Sequence, residues 1–258
     1  MILITNDDGI YSRGIKTLYD AAVEVYGKRE VNVVAPTGPR SASGMSLTFH
    51  KPIRADKVVL PDIKGYAVSG TPADCVYIAH YKLFRGKRID LILSGINKGT
   101  NVGMDAVESS GTVSAVMFGA VCHIKGIAFS LELEEPSKPK MFSNAQVQIV
   151  KMLNAIKRRG FPKKIDMLNV NIPNSVNGKT EVKVCTIEDS LFNKFVIQKR
   201  DPRGDSYYWL WSSRKKRLER GSDCYGVFMD RDISVTPISL PRPDENWMED
   251  VREVLNIK

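Results

Sequence analysis

An alternation constrains this chain more than any other feature. Short apolar runs end in polar loops, and stretches with apolar residues at helical spacing follow them. Ile2-Leu3-Ile4 runs into Thr5-Asn6-Asp7-Asp8-Gly9, after which Ile15, Leu18, Ala22 and Val25 recur at helical intervals. Val31 to Pro36 reads as a second strand, stopped by its proline. Tyr66-Ala67-Val68 is another. Thr71 after it suits a helix N-cap and Pro72 the first helical position. Ile89 to Ser94 reads as a strand feeding a loop of Gly, Asn and Thr, and Gly111 to Cys122 as a small-residue helix. Gly126 to Ser130 follows as a strand, Glu132 to Lys140 as an acidic connecting loop, and Ser143 to Arg159 as an amphipathic helix closed by Gly160. Met167 to Ile172 and Val182 to Ile187 read as further strands.

The expected fold class is therefore α/β: a Rossmann-like, mostly parallel sheet with helices on both faces. The C-terminal quarter breaks the pattern. Phe195 to Ser213 carries Tyr207, Tyr208, Trp209 and Trp211 around an Asp201-Pro202-Arg203-Gly204-Asp205 turn, which reads as a β-hairpin with an exposed aromatic stripe. A late strand, Ile233 to Ile238, and a terminal helix, Glu245 to Leu255, complete the chain. A stripe on an arm with little core behind it fits a partner subunit better than the chain's own interior.

Composition narrows the function classes. No run of 18 apolar residues suggests a membrane span, and the N-terminus lacks the basic region of a signal peptide, so a cytoplasmic protein is expected. Cys75, Cys122, Cys185 and Cys224 are far apart and form no Cys-x-x-Cys pair, which argues against zinc and disulfide frameworks. His50, His80 and His123 are equally scattered. The net charge of +9 includes Arg214-Lys215-Lys216-Arg217. Such a run is ordinarily a solvated face, and no nucleic-acid recognition motif accompanies it, so sequence-specific binding is not expected.

In a parallel sheet, ligands bind beyond the carboxyl ends of the strands. Three such loops share one chemistry. At Thr5-Asn6-Asp7-Asp8-Gly9 the chain turns, so two adjacent carboxylates can converge, and converging carboxylates repel unless a cation lies between them. The plain alternative is one capping Asp and one solvated neighbour. The loop Pro36 to Ser46 is rich in hydroxyls and holds Arg40, groups that suit phosphate oxygens; Ser41 and Ser43 lie in it. Ser94 to Gly103 offers the Asn97 carbonyl oxygen, the Lys98 charge and Asn101. Ser110-Gly111-Thr112 opens a helix, where free N–H groups bind phosphate; plain N-capping is the alternative there. Carboxylate, hydroxyl and amide oxygens without Cys or His select a hard cation such as Mg²⁺ or Mn²⁺.

These blocks resemble the SurE survival proteins, a family of metal-dependent 5′/3′-nucleotidases. The resemblance rests on Asn6-Asp7-Asp8-Gly9, Arg40-Ser41, Gly70-Thr71-Pro72-Ala73-Asp74-Cys75-Val76, Ser94-Gly95-Ile96-Asn97, Asn101-Val102-Gly103 and Ser110-Gly111-Thr112-Val113. Leu168-Asn169-Val170-Asn171-Ile172-Pro173 and Ser234-Val235-Thr236-Pro237 continue it. It implies one divalent metal ion per subunit, Mg²⁺ or Mn²⁺, held by Asp7, Asp8, Ser41 and Asn97, with Asp7, Asp8 and Asn97 catalytic. It further implies hydrolysis of nucleoside 5′- and 3′-monophosphates, sometimes short polyphosphate. Asn6, Arg40, Ser43, Asn101, Ser110, Gly111 and Thr112 are then expected around the substrate. On this reading residues 1–190 form the catalytic core. Residues 191–258 form an arm, a late strand and a helix that make a homodimer or homotetramer without being an independent domain. Two departures, Pro36-Thr37-Gly38 for Pro-Asp-Arg and Thr100 for Pro, touch no implied ligand. A dinucleotide oxidoreductase would need Gly-x-Gly-x-x-Gly where the chain has Asp7-Asp8-Gly9. An aspartyl-phosphate route suits Asp-x-Asp better than adjacent aspartates. A basic nucleotide- or nucleic-acid-binding protein without catalysis is the remaining alternative.

Overall fold

The computed structural model of the chain describes residues 1–133, 139–242 and 244–255. Among them, nine strands form one sheet in the order β3-β4-β2-β1-β5-β6-β7-β11-β8. The strands are β1 (Ile2–Thr5), β2 (Val31–Pro36), β3 (Ala55–Val59), β4 (Lys64–Val68), β5 (Leu91–Lys98), β6 (Gly126–Leu131), β7 (Met167–Ile172), β8 (Val182–Val184) and β11 (Ile233–Ile238). From β4 to β7 all neighbours are parallel; β3 and β11 join antiparallel at the two flanks. The expected mostly parallel sheet is present.

Helices cover both faces. On one side α1 (Arg13–Tyr26) and α5 (Pro139–Arg159) pack together over Ile4, Leu93, Phe129 and Val170. On the other, α2 (Pro72–Ile78) and α4 (Gly111–Val121) cover Leu3, Val34, Ile92 and Ala128. Adjacent strand residues thus feed opposite cores, as the alternation of a strand requires. Phe129 and Phe142 are wholly buried in the first core. Each such side chain contributes about 2–3 kcal/mol by its removal from water.

Local chemistry sets the helix starts. Ser12 caps α1 by accepting from Ile15 N–H, and Ser110 caps α4 by accepting from Val113 N–H. Thr71 and Asp74 form a reciprocal capping box on α2, with Pro72 at its first turn.

Several expected boundaries move. β5 does not stop at Ser94 but continues through Asn97 to Lys98 after a register shift against β6, so Asn97 is held by a strand and not by a loop. The expected strand Val182–Ile187 ends at Val184, with only an isolated bridge at Thr186 beyond it. α5 starts at Pro139, inside the segment read as a loop; the middle of that segment, 134–138, lies outside the described residues. β3 and the short helix α3 (Met104–Ser109) were not expected. The late strand β11 lies in the main sheet between β7 and β8, not in the arm.

The arm is a two-stranded antiparallel sheet of β9 (Phe192–Arg200) and β10 (Ser206–Arg214), paired over nine positions. The Asp201 carboxylate shapes its turn by accepting from Arg203 N–H and Asp205 N–H. Tyr208, Trp209, Leu210 and Trp211 are all exposed. At its root Arg214 stacks 4.0 Å over the Phe228 ring and Lys215 lies 3.7 Å from Glu188, so part of the basic run folds against the body. A three-residue turn, α6 (Asp223–Tyr225), and the terminal helix α7 (Glu245–Leu255) follow, and single π-helical turns extend α2 (Ala79–Leu83) and α6 (Gly226–Asp230). No described helix is long and apolar enough to cross a membrane.

Candidate active site

The strand order reverses direction at β1. Strands β2 and β4 spread to one side and β5, β6 and β7 to the other. A crevice opens outside the carboxyl ends of strands at such a reversal. The loops from β1, β2 and β5 meet there.

Asn6 turns the first loop. It is fully buried; its Nδ2 donates to Gly9 O at 3.0 Å and Ser12 Oγ at 2.8 Å, and its Oδ1 accepts from Gly9 N–H. Its side-chain polar atoms are thus all engaged close by in the chain, and they shape the turn. Gly9, at φ +94°, is required twice: the backbone is left-handed, and a Cβ there would lie 2.9 Å from Gly38 Cα. The β1 and β2 loops are clamped further by Ile10 N–H donating to Pro36 O and Arg40 N–H donating to Asp7 O.

Asp7 is buried and accepts from Thr112 Oγ1 at 2.5 Å. Burial lifts its carboxyl above the usual range, and the Asp8 charge adds to this; the Thr112 hydroxyl and N–H oppose it. Asp8 is half-buried and accepts from Lys98 N–H at 3.3 Å. Burial raises it too, against the Lys98 N–H and charge. Both shifts arise first from withdrawal of a carboxylate from water, a cost that a bound cation would offset.

Gly111 marks where three segments converge. A Cβ on it would lie 2.5 Å from Ser43 Oγ, 2.9 Å from Asp7 Cβ and 3.2 Å from Arg40 O. The amino end of α4 thus touches both the carboxylate loop and the hydroxyl-rich loop, and Gly111 serves by having no side chain. Ser43 Oγ is buried without a hydrogen-bond partner. Arg40 donates through Nε to Gly70 O and through Nη2 to Ser69 O, which anchors an otherwise exposed guanidinium. Ser41 is exposed in the same loop. Asn97 donates through Nδ2 to Gly99 O at 2.9 Å, which leaves Oδ1 as its free polar atom.

Two of the expected contact residues also have structural partners. Ser110 is the N-cap of α4. Asn101 lies in a buried network: its N–H donates to Asn171 Oδ1 and its Nδ2 to Ser130 Oγ, while Asn169 Nδ2 and Asn171 Nδ2 both donate to its carbonyl. This holds the loop after β5 from beneath.

The residues that position the site are remote in sequence. Asp74 accepts from Thr48 N–H, Thr48 Oγ1 and Thr71 N–H, while Thr71 Oγ1 donates to Ser46 O, which fastens the β2 loop. Asp223 is fully buried and accepts from Gly103, Glu188 and Cys224 N–H groups, which fastens the β5 loop. The Asp74 role had a local signal, its capping box; that of Asp223 had none.

With the geometry in place, the comparisons are direct. The sequence profile described as survival protein SurE matches residues 2–194. The chain is 42% identical to the 5′-nucleotidase SurE of Picrophilus torridus, over 98% of this chain and 94% of that one. It is 38% identical to the 5′-nucleotidase SurE of Thermococcus kodakarensis, over 98% of each. The structure superposes on the crystal structure of the SurE protein from Aquifex aeolicus with a TM-score of 0.83 and 34% identity, covering 98% and 99% of the two chains. A shared profile, identity along nearly the whole length and a shared three-dimensional structure agree: the chain belongs to the SurE survival protein family.

Proposed function

We propose that this protein is a phosphomonoesterase that hydrolyses nucleoside 5′-monophosphates, and 3′-monophosphates, to nucleoside and phosphate with the help of one divalent cation, Mg²⁺ or Mn²⁺. The observation that carries this is the convergence at Gly111, where a carboxylate, an unpartnered buried hydroxyl and the start of α4 come within a side chain's width. The names of its relatives support the substrate class.

The donor set fits a hard cation. Asp7 and Asp8 supply adjacent carboxylates, Asn97 a free amide oxygen, and Ser41 an exposed hydroxyl. A divalent ion bound there supplies charge neutralisation and acidifies water. Thr112 fixes Asp7 so that its carboxylate does not swing with the substrate. Asn97 is fixed by the end of β5. The Ser43 hydroxyl and the first N–H groups of α4 offer donors to phosphate oxygens, and the anchored Arg40 offers its remaining N–H groups. Preorganised donors of this kind stabilise charge that grows during transfer.

We assign the exposed arm and α7 to assembly into a dimer or tetramer. Leu210 is 86% exposed and Val254 83%, too much for side chains serving only their own chain. The four free thiols suit a reducing cytoplasm.

Phosphate release from 5′-AMP, 5′-GMP and 3′-AMP tests the reading. Release is expected to vanish in EDTA and return with Mg²⁺ or Mn²⁺. Release that ignores EDTA, or none with either metal, overturns it.

A further inference from the structure

A cavity lies on the opposite edge of the sheet from the candidate site. Its volume is about 410 Å³, within the range of small-ligand sites. Lys125 immediately precedes β6 and Asp166 immediately precedes β7; both strands run parallel to the β1 direction. The cavity is therefore a full strand length, roughly 20 Å, from the carboxylates that follow β1. Lys163 and Lys164 come from the approach to β7, and Arg242 from the segment after β11.

The charge in this cavity is one-sided. Four cationic residues, Lys125, Lys163, Lys164 and Arg242, line it with one acidic residue, Asp166. That carboxylate is already engaged: Oδ1 lies 3.3 Å from both Lys125 Nζ and Arg242 Nη2, and Oδ2 accepts from Leu240 N–H at 3.0 Å. Burial alone would raise its carboxyl, but the Leu240 N–H, Lys125 and Arg242 outweigh burial and hold it below the usual range. Asp166 thus orients two cations without cancelling the set. The Lys163 and Lys164 ammonium groups have no ion-pair partner among the described residues. Lys125 also donates to Ile165 O, so its position is built and not loosely solvated. Ala120, Ile124 and Leu240 supply an apolar wall.

Four positive charges against one negative leave three uncompensated in a concave site. A single phosphate would not balance them, whereas a di- or triphosphate would. We infer that this cavity is a second anion site that binds a small molecule carrying two or more linked phosphoryl groups. It is separate from the proposed active site, and it stands whether or not that site hydrolyses nucleotides. The cavity's size favours a small polyanion over a nucleic-acid strand, which would need an open groove.

Isothermal titration of the full chain with inorganic tripolyphosphate in EDTA tests this without any turnover. Saturable binding of one molecule per chain is expected, weakening with added salt. The double variant Lys163→Glu, Lys164→Glu should lower affinity on the order of tenfold or more, while Arg40→Ala leaves it unchanged. Both lysines are exposed, and an unaltered circular dichroism spectrum shows that the variant folds. ATP titrated in EDTA should show the same dependence on the lysines, and its affinity relative to tripolyphosphate tells whether a nucleoside also finds contacts. The inference is overturned by absence of saturable binding, or by binding that ignores the lysine pair and falls with Arg40→Ala. Tighter, lysine-dependent binding of a single-stranded oligonucleotide would overturn it too, in favour of a nucleic-acid face.

Discussion

At the carboxyl edge of the sheet each loop is tied to another through a buried polar group, whereas β9 and β10 are tied chiefly to each other. Asp7 meets Thr112, Asp74 meets Thr48, Asn101 meets Asn169 and Asn171, and Asp223 meets Gly103. The arm instead shows tryptophans and leucine to solvent, with its root fastened by Asp105, which binds Lys194 at 2.8 Å and Ser190 at 2.7 Å. The two regions differ in what orders them. The loops proposed to carry chemistry are held by the chain itself, as a site that loses rate steeply when loosened requires. The arm is held at one end and leaves its apolar surface exposed.

Four variants would break or sharpen that contrast. Asp8→Asn should lower turnover on the order of a thousandfold while leaving thermal stability unchanged or slightly raised. Burial already disfavours the Asp8 charge, so a neutral isostere removes a cost. Near-normal turnover in this variant would sink the site assignment. Asp223→Ala comes next. Three N–H groups lose a buried acceptor, and chemical denaturation should register a loss of about 3 kcal/mol. A loss below about 1 kcal/mol would mean that the β5 loop is not held through this carboxylate.

Gly111→Ala should cost about 2 kcal/mol of stability and a larger factor in turnover. The added methyl displaces Asp7, Ser43 and Arg40 together. Turnover falling only in proportion to the folded fraction would show that the convergence is packing and not chemistry. The smallest change in chain stability is expected from Trp209→Ser with Trp211→Ser. Both side chains are more than half exposed, so dilute single chains should change by no more than about 0.5 kcal/mol. Light scattering should nevertheless report a smaller assembly. A large drop in the melting temperature of single chains would place these rings in the chain's own core and erase the contrast.

The sequence was legible where the signal is local. Apolar runs mark β1, β2, β6 and β7, Thr71 and Pro72 mark the start of α2, and the hairpin turn is written in Asp201 to Asp205. The clustering of polar residues after strands pointed to the loops that converge at Gly111 as well. What stayed hidden is long-range. Ala55–Val59 carries Asp56 and Lys57 and flanks the sheet, so no apolar alternation announces it. The buried network around Asn101 was not readable either, because an exposed amide and one buried under its own loop read identically in sequence. Only the Asn169 and Asn171 side chains, about seventy positions away and aligned by the β7 register, separate the cases. Asp223 reaches Gly103 across 120 residues, a pairing that no spacing encodes.

The place of β11 also bears on how the molecule comes into being at the ribosome. Among the described residues β8 enters the sheet only through β11, its parallel partner, and β11 bridges it to β7. During translation, then, β1 through β7 can assemble while Val182–Val184 waits without a neighbour until residues 233–238 have left the exit tunnel. At roughly 5–20 residues per second, that interval lasts several seconds. Through it the open side of β7 is an unpaired edge, and the nascent chain most needs shielding from its neighbours just then.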